Sequence, residues 1–142
     1  MLTDIINNIN KELKGFEPDN NILNKKHFLS TITKIQGLFT NSEEILITLK
    51  NLNGNTTTIK FYHEQDCCED VVVDQVDNLV ERHIGATIYA IREKVSCDEE
   101  TEESDGSNTW TFYDIETSKG RLSFRWHGSS NGYYSESVDI EQ

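Results

Sequence analysis

One short run of the chain crowds imidazole, thiol and carboxylate together: Phe61-Tyr62-His63-Glu64-Gln65-Asp66-Cys67-Cys68-Glu69-Asp70. All three groups are metal ligands, and zinc accepts nitrogen and sulfur in one site. The spacing argues against a zinc finger, because the run holds no Cys-x-x-Cys pair. Adjacent cysteines leading into a strand point to opposite faces, so both do not readily bind one ion. The thiol alternative pairs Cys67 or Cys68 with His63 or His127. Such a dyad needs hydrogen-bond reach and an oxyanion hole. The carboxylates nearby oppose it, since negative neighbours hold a thiol protonated. A disulfide between adjacent cysteines closes a strained small ring, so reduced thiols are the expectation, with one cysteine in the core and the other beneath a polar loop.

A second run mirrors the first: Arg125-Trp126-His127-Gly128-Ser129-Ser130-Asn131-Gly132-Tyr133-Tyr134-Ser135-Glu136. Strand alternation puts Arg125 and His127 on one face if Phe124 and Trp126 are core. They then point outward, where they can meet the acids of residues 64–70. The glycines let a backbone approach a ligand closely. The same glycines serve equally well in a plain hairpin loop. Tyr62, Trp110, Phe112, Tyr113, Trp126, Tyr133 and Tyr134 read first as core, and second as rings that stack a flat ligand. No GxGxxG, Walker, HExxH or GxSxG pattern is present, so no cofactor is expected.

The elements that position these residues follow from periodicity. Leu2, Ile5, Ile6, Ile9 and Leu13 recur at helical spacing, which predicts an N-terminal helix over 2–14. It docks on the body, docks on another copy of the chain to give a homo-oligomer, or frays. Residues 15–27 read as a linker, and the domain is placed at 28–142. From there the period is two. Strands are predicted at 31–35, 44–49, 56–62, 71–73, 87–95, 109–117, 121–127 and 133–140, with Gly54 and Gly120 at hairpin turns. Residues 75–83 carry Val76, Leu79 and Val80 on one face and predict a short internal helix. Asp98, Glu99, Glu100, Glu102, Glu103 and Asp105 form an acidic loop that lacks the ordered spacing of a calcium loop. The fold class is α+β, mostly antiparallel β, with seven to eight strands.

The chain has 142 residues, enough for one core. Its net charge is −12. Such a surface repels phosphate, which disfavours direct nucleic-acid binding, and it favours a partner with a basic surface. No apolar run approaches the ~18 residues of a membrane span, so no membrane contact is expected. Met1-Leu2-Thr3-Asp4 opens without a basic segment, which predicts no secretion signal and hence a cytoplasmic protein.

The Phe61–Glu69 run, Trp110-Thr111-Phe112-Tyr113, and the stretch from Arg125 to Val138 together resemble a family of small uncharacterised proteins found mostly in phages and prophages. The resemblance covers roughly residues 29–140. It implies a setting, the cytoplasm of an infected host, and no catalytic residue. It also implies that the two end motifs share one site. The expected function is therefore binding: a small acidic phage-type accessory protein that inhibits a host defence protein or sequesters a small polar ligand. The expected rim is His63, Glu64, Asp66, Glu69, Arg125, His127, Asn131, Tyr133 and Glu136. Two alternatives stand beside it. One is a metal- or thiol-dependent enzyme using His63, Cys67, Cys68 and His127. The other is a structural virion component.

Overall fold

The computed structural model describes residues 20–77, 79–98 and 106–142. Its strands are β1 (Thr31–Gln36), β2 (Glu44–Lys50), β3 (Thr56–Tyr62), β4 (Asp70–Val76), β5 (Ile88–Asp98), β6 (Ser107–Thr117), β7 (Gly120–Ser130) and β8 (Asp139–Glu141). They form two four-stranded sheets, ordered β1-β2-β3-β8 and β4-β7-β6-β5. Every ladder is antiparallel.

The alternation that predicts the strands also builds the core. Ile45, Ile47 and Leu49 of β2 face inward with Ile59 and Phe61 of β3. Val71 and Val73 of β4, Tyr113 and Ile115 of β6, and Leu122, Phe124 and Trp126 of β7 face them from the other sheet. Each such side chain contributes about 1.5–3 kcal/mol when fully buried. Phe61 joins the sheets directly, meeting Tyr113 and Phe124 edge-on at 4.9 and 5.1 Å between ring centroids.

Several expectations change here. Among the described residues the helical elements are two short 3-10 turns, Lys25–His27 and Val80–His83. Over the described residues the architecture is thus mostly antiparallel β. The predicted internal helix shrinks because β4 continues through Val76 and Gly85, at φ 86°, ends the turn soon after His83. That leaves too little chain for a helix to nucleate. The predicted eighth strand shrinks to Asp139–Glu141, while β5 and β6 extend into the acidic stretch. The helix expected at 2–14 lies outside the described residues. From Asn20 onward the stretch read as a linker is docked on the body. The Ile22 N–H donates to the Ile91 carbonyl at 2.8 Å. The Gln142 side chain donates to the Ile22 carbonyl and accepts from the Asn24 N–H, at 2.8 and 2.7 Å.

Topology exposes an internal repeat. β1-β2-β3 form one sheet and send β4 to the other; β5-β6-β7 form the second and send β8 back. The sequence repeats in step. Residues 21–35 and 77–91 share Leu23/Leu79, His27/His83, Thr31/Thr87, Ile32/Ile88 and Ile35/Ile91. Local geometry repeats as well. Asn21 Oδ1 accepts from the Leu23 N–H, as Asp77 Oδ1 does from Leu79. A 3-10 turn follows, then a buried histidine whose Nδ1 meets a threonine hydroxyl: His27 with Thr57 at 3.1 Å, His83 with Thr117 at 3.2 Å. Burial lowers the pKa of both histidines below the usual value, with Lys26 and Arg82 respectively adding to it. The repeats meet at the bridge Thr31–Thr87. Around it the Ile32 N–H donates to Ala86 and the Ile88 N–H to Ser30, at 2.8 and 2.9 Å. Even the register shifts correspond, between Ile32/Lys34 and between Ile88/Ala90.

Candidate functional site

The crowded run after β3 is a loop folded around its own glutamate. The Glu69 side chain is fully covered. Its Oε1 accepts from the Asp66 N–H at 2.5 Å and faces His63 Nε2 at 3.0 Å. Its Oε2 accepts from the Cys67 and Cys68 N–H groups at 3.3 and 3.2 Å. The Asp66 N–H, supported by His63 and the Cys67 N–H, holds the Glu69 carboxyl down to about 2 against the opposing effect of burial. Gln65 Nε2 closes the turn on the Glu69 carbonyl at 2.6 Å.

The second run forms a strap over the same end of the sandwich. Nδ1 of His63 donates to the Ser137 carbonyl at 2.7 Å, which ties the strap to the first loop. Glu136, the residue before Ser137, is buried. Its carboxylate accepts from the hydroxyls of Ser107 and Ser130, and from Thr109 at 2.9 Å. Burial pushes its pKa up; the three hydroxyls and nearby His127 outweigh this, and the net shift is downward. Gly128 is needed for this approach. A Cβ there would lie 2.7 Å from the Glu136 carbonyl oxygen and 2.8 Å from its Cβ.

The expected rim therefore separates into groups. His63, Glu69 and Glu136 are interior clamps. Arg125 is paired bidentately with Asp74, Nε and Nη2 each at 2.8 Å, and lies over the Phe112 ring. Asp74 raises the Arg125 pKa further. His127 Nε2 meets Asn108 Oδ1 at 2.9 Å, and its ring lies against Trp110. Arg125 and His127 do face outward, but their partners are Asp74 and Asn108 rather than the acids of 64–70. Those two partners were not foreseen. No local pattern marks them, because they are placed by register across β4–β7 and β6–β7.

Glu64 and Asp66 are exposed, and with His63, Gln65, Ser135, Ser137 and Asp139 they line a cleft of about 340 Å³. Asp139, which begins β8, is the acid that the sequence reading missed; its place opposite Tyr62 in the β3–β8 ladder brings it here. Two residues before the cleft-lining Ser135, Tyr133 is 83% exposed. The Asn131 side chain accepts its N–H at 3.0 Å, and Tyr134 packs edge-on against its ring.

Cys67 and Cys68 also differ from expectation. Both are exposed, and a disulfide joins them. They lie in a bend ahead of β4 rather than within the strand, so strand alternation does not separate their side chains. With the sulfurs bonded to each other and His63 held between Glu69 and Ser137, a Cys–His dyad is not assembled in this arrangement. Among the described residues no three His, Cys, Asp or Glu side chains are grouped to hold a metal ion. No described helix is long and apolar enough to cross a membrane.

A family model described as a domain of unknown function (DUF7448) matches residues 20–140. No curated protein and no solved structure matches the chain.

Proposed function

We propose that this chain, which belongs to the DUF7448 family of domains of unknown function, acts by binding a basic protein surface through the end of the sandwich where its two loops meet. The observation that carries the reading is the acidic cleft of Glu64, Asp66 and Asp139, with Tyr133, two residues before the cleft-lining Ser135 in the chain, 83% exposed. Carboxylates attract a lysine or arginine head group, and an exposed tyrosine face adds cation–π contact once water is excluded. A net charge of −12 favours encounter with a basic partner and disfavours nucleic acid. The buried clamps have a part in this: Glu69 and Glu136 fix the loop and the strap, so the cleft walls are pre-organised. In the phage setting that the sequence resemblance implies, the partner is a host defence protein in the host cytoplasm.

A lysine-rich peptide is a sufficient probe. Titrated against the chain at low salt, it binds, and affinity falls as salt rises. Tyr133→Ala weakens binding about tenfold, which corresponds to ~1.4 kcal/mol. Glu64→Gln with Asp66→Asn weakens it severalfold, since rim charges contribute about 0.2–1 kcal/mol each. Unchanged affinity in both variants, with melting temperatures intact, overturns the reading.

A further inference from the structure

We infer that the Cys67–Cys68 disulfide is a thiol–disulfide exchange site whose substrate is a dithiol reductant, and that opening it loosens one wall of the loop cleft without unfolding the sandwich. The inference stands on the loop's own geometry and does not depend on what the cleft binds.

Four observations carry it. Both cysteines are exposed, so an attacking thiolate reaches the pair from solvent. The bond closes a ring between neighbours in the chain. Closure of so short a loop removes little freedom from the unfolded chain, so its loss costs little global stability. The ring does constrain the peptide between the two cysteines, and the N–H groups of both residues converge on Glu69 Oε2. Opening it returns freedom to two of the donors that hold the loop on its glutamate. Finally, this loop supplies Glu64, Gln65 and Asp66 to the cleft.

The chemistry selects the reductant. A thiolate attacks one sulfur, breaks the Cys67–Cys68 bond and forms a mixed disulfide, releasing the other cysteine as a thiolate. With a monothiol, that thiolate sits on the adjacent residue and attacks back, because its effective concentration is high. A dithiol escapes this: its second thiol attacks the mixed disulfide and leaves as a cyclic or intramolecular disulfide. Two electrons pass to the protein, and two protons end on the sulfurs of Cys67 and Cys68. Glu64, Asp66 and Asp70 around the site repel anionic thiols, which favours a neutral dithiol.

The test is alkylation with mass analysis on the intact chain, coupled to hydrogen exchange. Without reductant, iodoacetamide adds to Cys97 alone, the free and exposed cysteine. After dithiothreitol, iodoacetamide labels Cys67 and Cys68 too; after glutathione at the same thiol concentration it labels them far less. On reduction, amides of residues 66–68 exchange at least about tenfold faster, while amides of β2 and β6 are unchanged. Reoxidation restores the slow exchange. Three labels without reductant overturn the inference, as does loop exchange that reduction leaves unaltered. Cys67→Ser with Cys68→Ser is expected to exchange like the reduced chain. Should that variant fail to fold, reduction of the natural chain remains decisive.

Discussion

The two halves of the molecule, residues 21–76 and 77–141, use one plan and differ in where they depart from it. Shared are the Asx-type turn, the 3-10 turn, the buried histidine, the Thr-Ile start of the first strand, its register shift, and a fourth strand given to the other sheet. The histidines and the first isoleucine of each first strand are fully buried. The halves part company in the loops before the exchanged strands. The first half has a tight loop wrapped on Glu69 and closed by the disulfide. The second has a longer strap, anchored by Glu136 and carrying exposed Tyr133. Each loop solves the same problem, crossing from one sheet to the other, and each uses a buried carboxylate to fold unpaired backbone or hydroxyl groups around itself. What is repeated builds the fold; what is not repeated faces solvent at one end, where the proposed binding surface lies.

The largest effect that tests this comparison is expected in the core. Phe61 of β3 and Phe124 of β7 come from different halves and touch one another. Phe61→Ala and Phe124→Ala should each cost about 3–5 kcal/mol in urea unfolding. Both variants should unfold in a single transition, because each ring contacts both sheets. Two separated transitions, or a loss confined to one variant, would show that the halves are energetically independent.

Acid sensitivity probes the loops next. The Glu69 carboxyl is held down to about 2 in the folded chain, and Glu136 is also shifted downward. A lowered folded pKa means the stabilisation is fully present above the unfolded value, near 4.3 for glutamate. It is lost as pH falls through the folded value. Melting temperature should therefore drop between about pH 4.5 and 2 in the natural chain. Glu69→Gln should melt lower at pH 7 and flatten that limb, and Glu136→Gln should do the same. A limb of unchanged steepness in Glu69→Gln would place the acid sensitivity elsewhere in the molecule.

Much of this fold was legible from local pattern. Alternation located the strands because Ile45, Ile47, Leu49, Ile59 and Phe61 turn one face to the core. It could not assign strands to sheets, since an inward residue reads the same in either. The internal repeat was present to be read in Leu23, His27, Thr31, Ile32 and Ile35 against Leu79, His83, Thr87, Ile88 and Ile91. It is spread thinly enough that motif reading passed over it. The site was legible only in part. Glu69 and Glu136 looked like rim residues because glutamate is rarely buried unless paired; their partners are backbone N–H groups and hydroxyls, which leave no distinctive pattern. Arg125 looked free because its partner, Asp74, is distant in sequence and meets it only through the β4–β7 pairing.

The smallest effect is the sharpest test of the repeat, because it exchanges one residue between equivalent positions. Leu29 and Gly85 both follow the histidine by two residues and both have positive φ, 66° and 86°. Their N–H groups make matching bonds, Leu29 to Ile88 at 3.0 Å and Gly85 to Ile32 at 2.7 Å. The repeat therefore demands a left-handed residue at each site, and only the second half uses glycine. A non-glycine residue in that region costs roughly 1–2 kcal/mol. Gly85→Leu should lower stability by about that amount, since a Cβ there meets only the flexible Lys119 Nζ at 3.3 Å. Leu29→Gly relieves the same cost, but it gives up a partly covered side chain and loosens the unfolded chain by about 0.5–1 kcal/mol. These terms oppose each other, so the net change should fall within about 0.5 kcal/mol of zero. If Leu29→Gly instead destabilises by ~2 kcal/mol or more, packing of the leucine outweighs its backbone cost. Position 29 would then be a place where the halves have diverged in side-chain packing and not only in the loops.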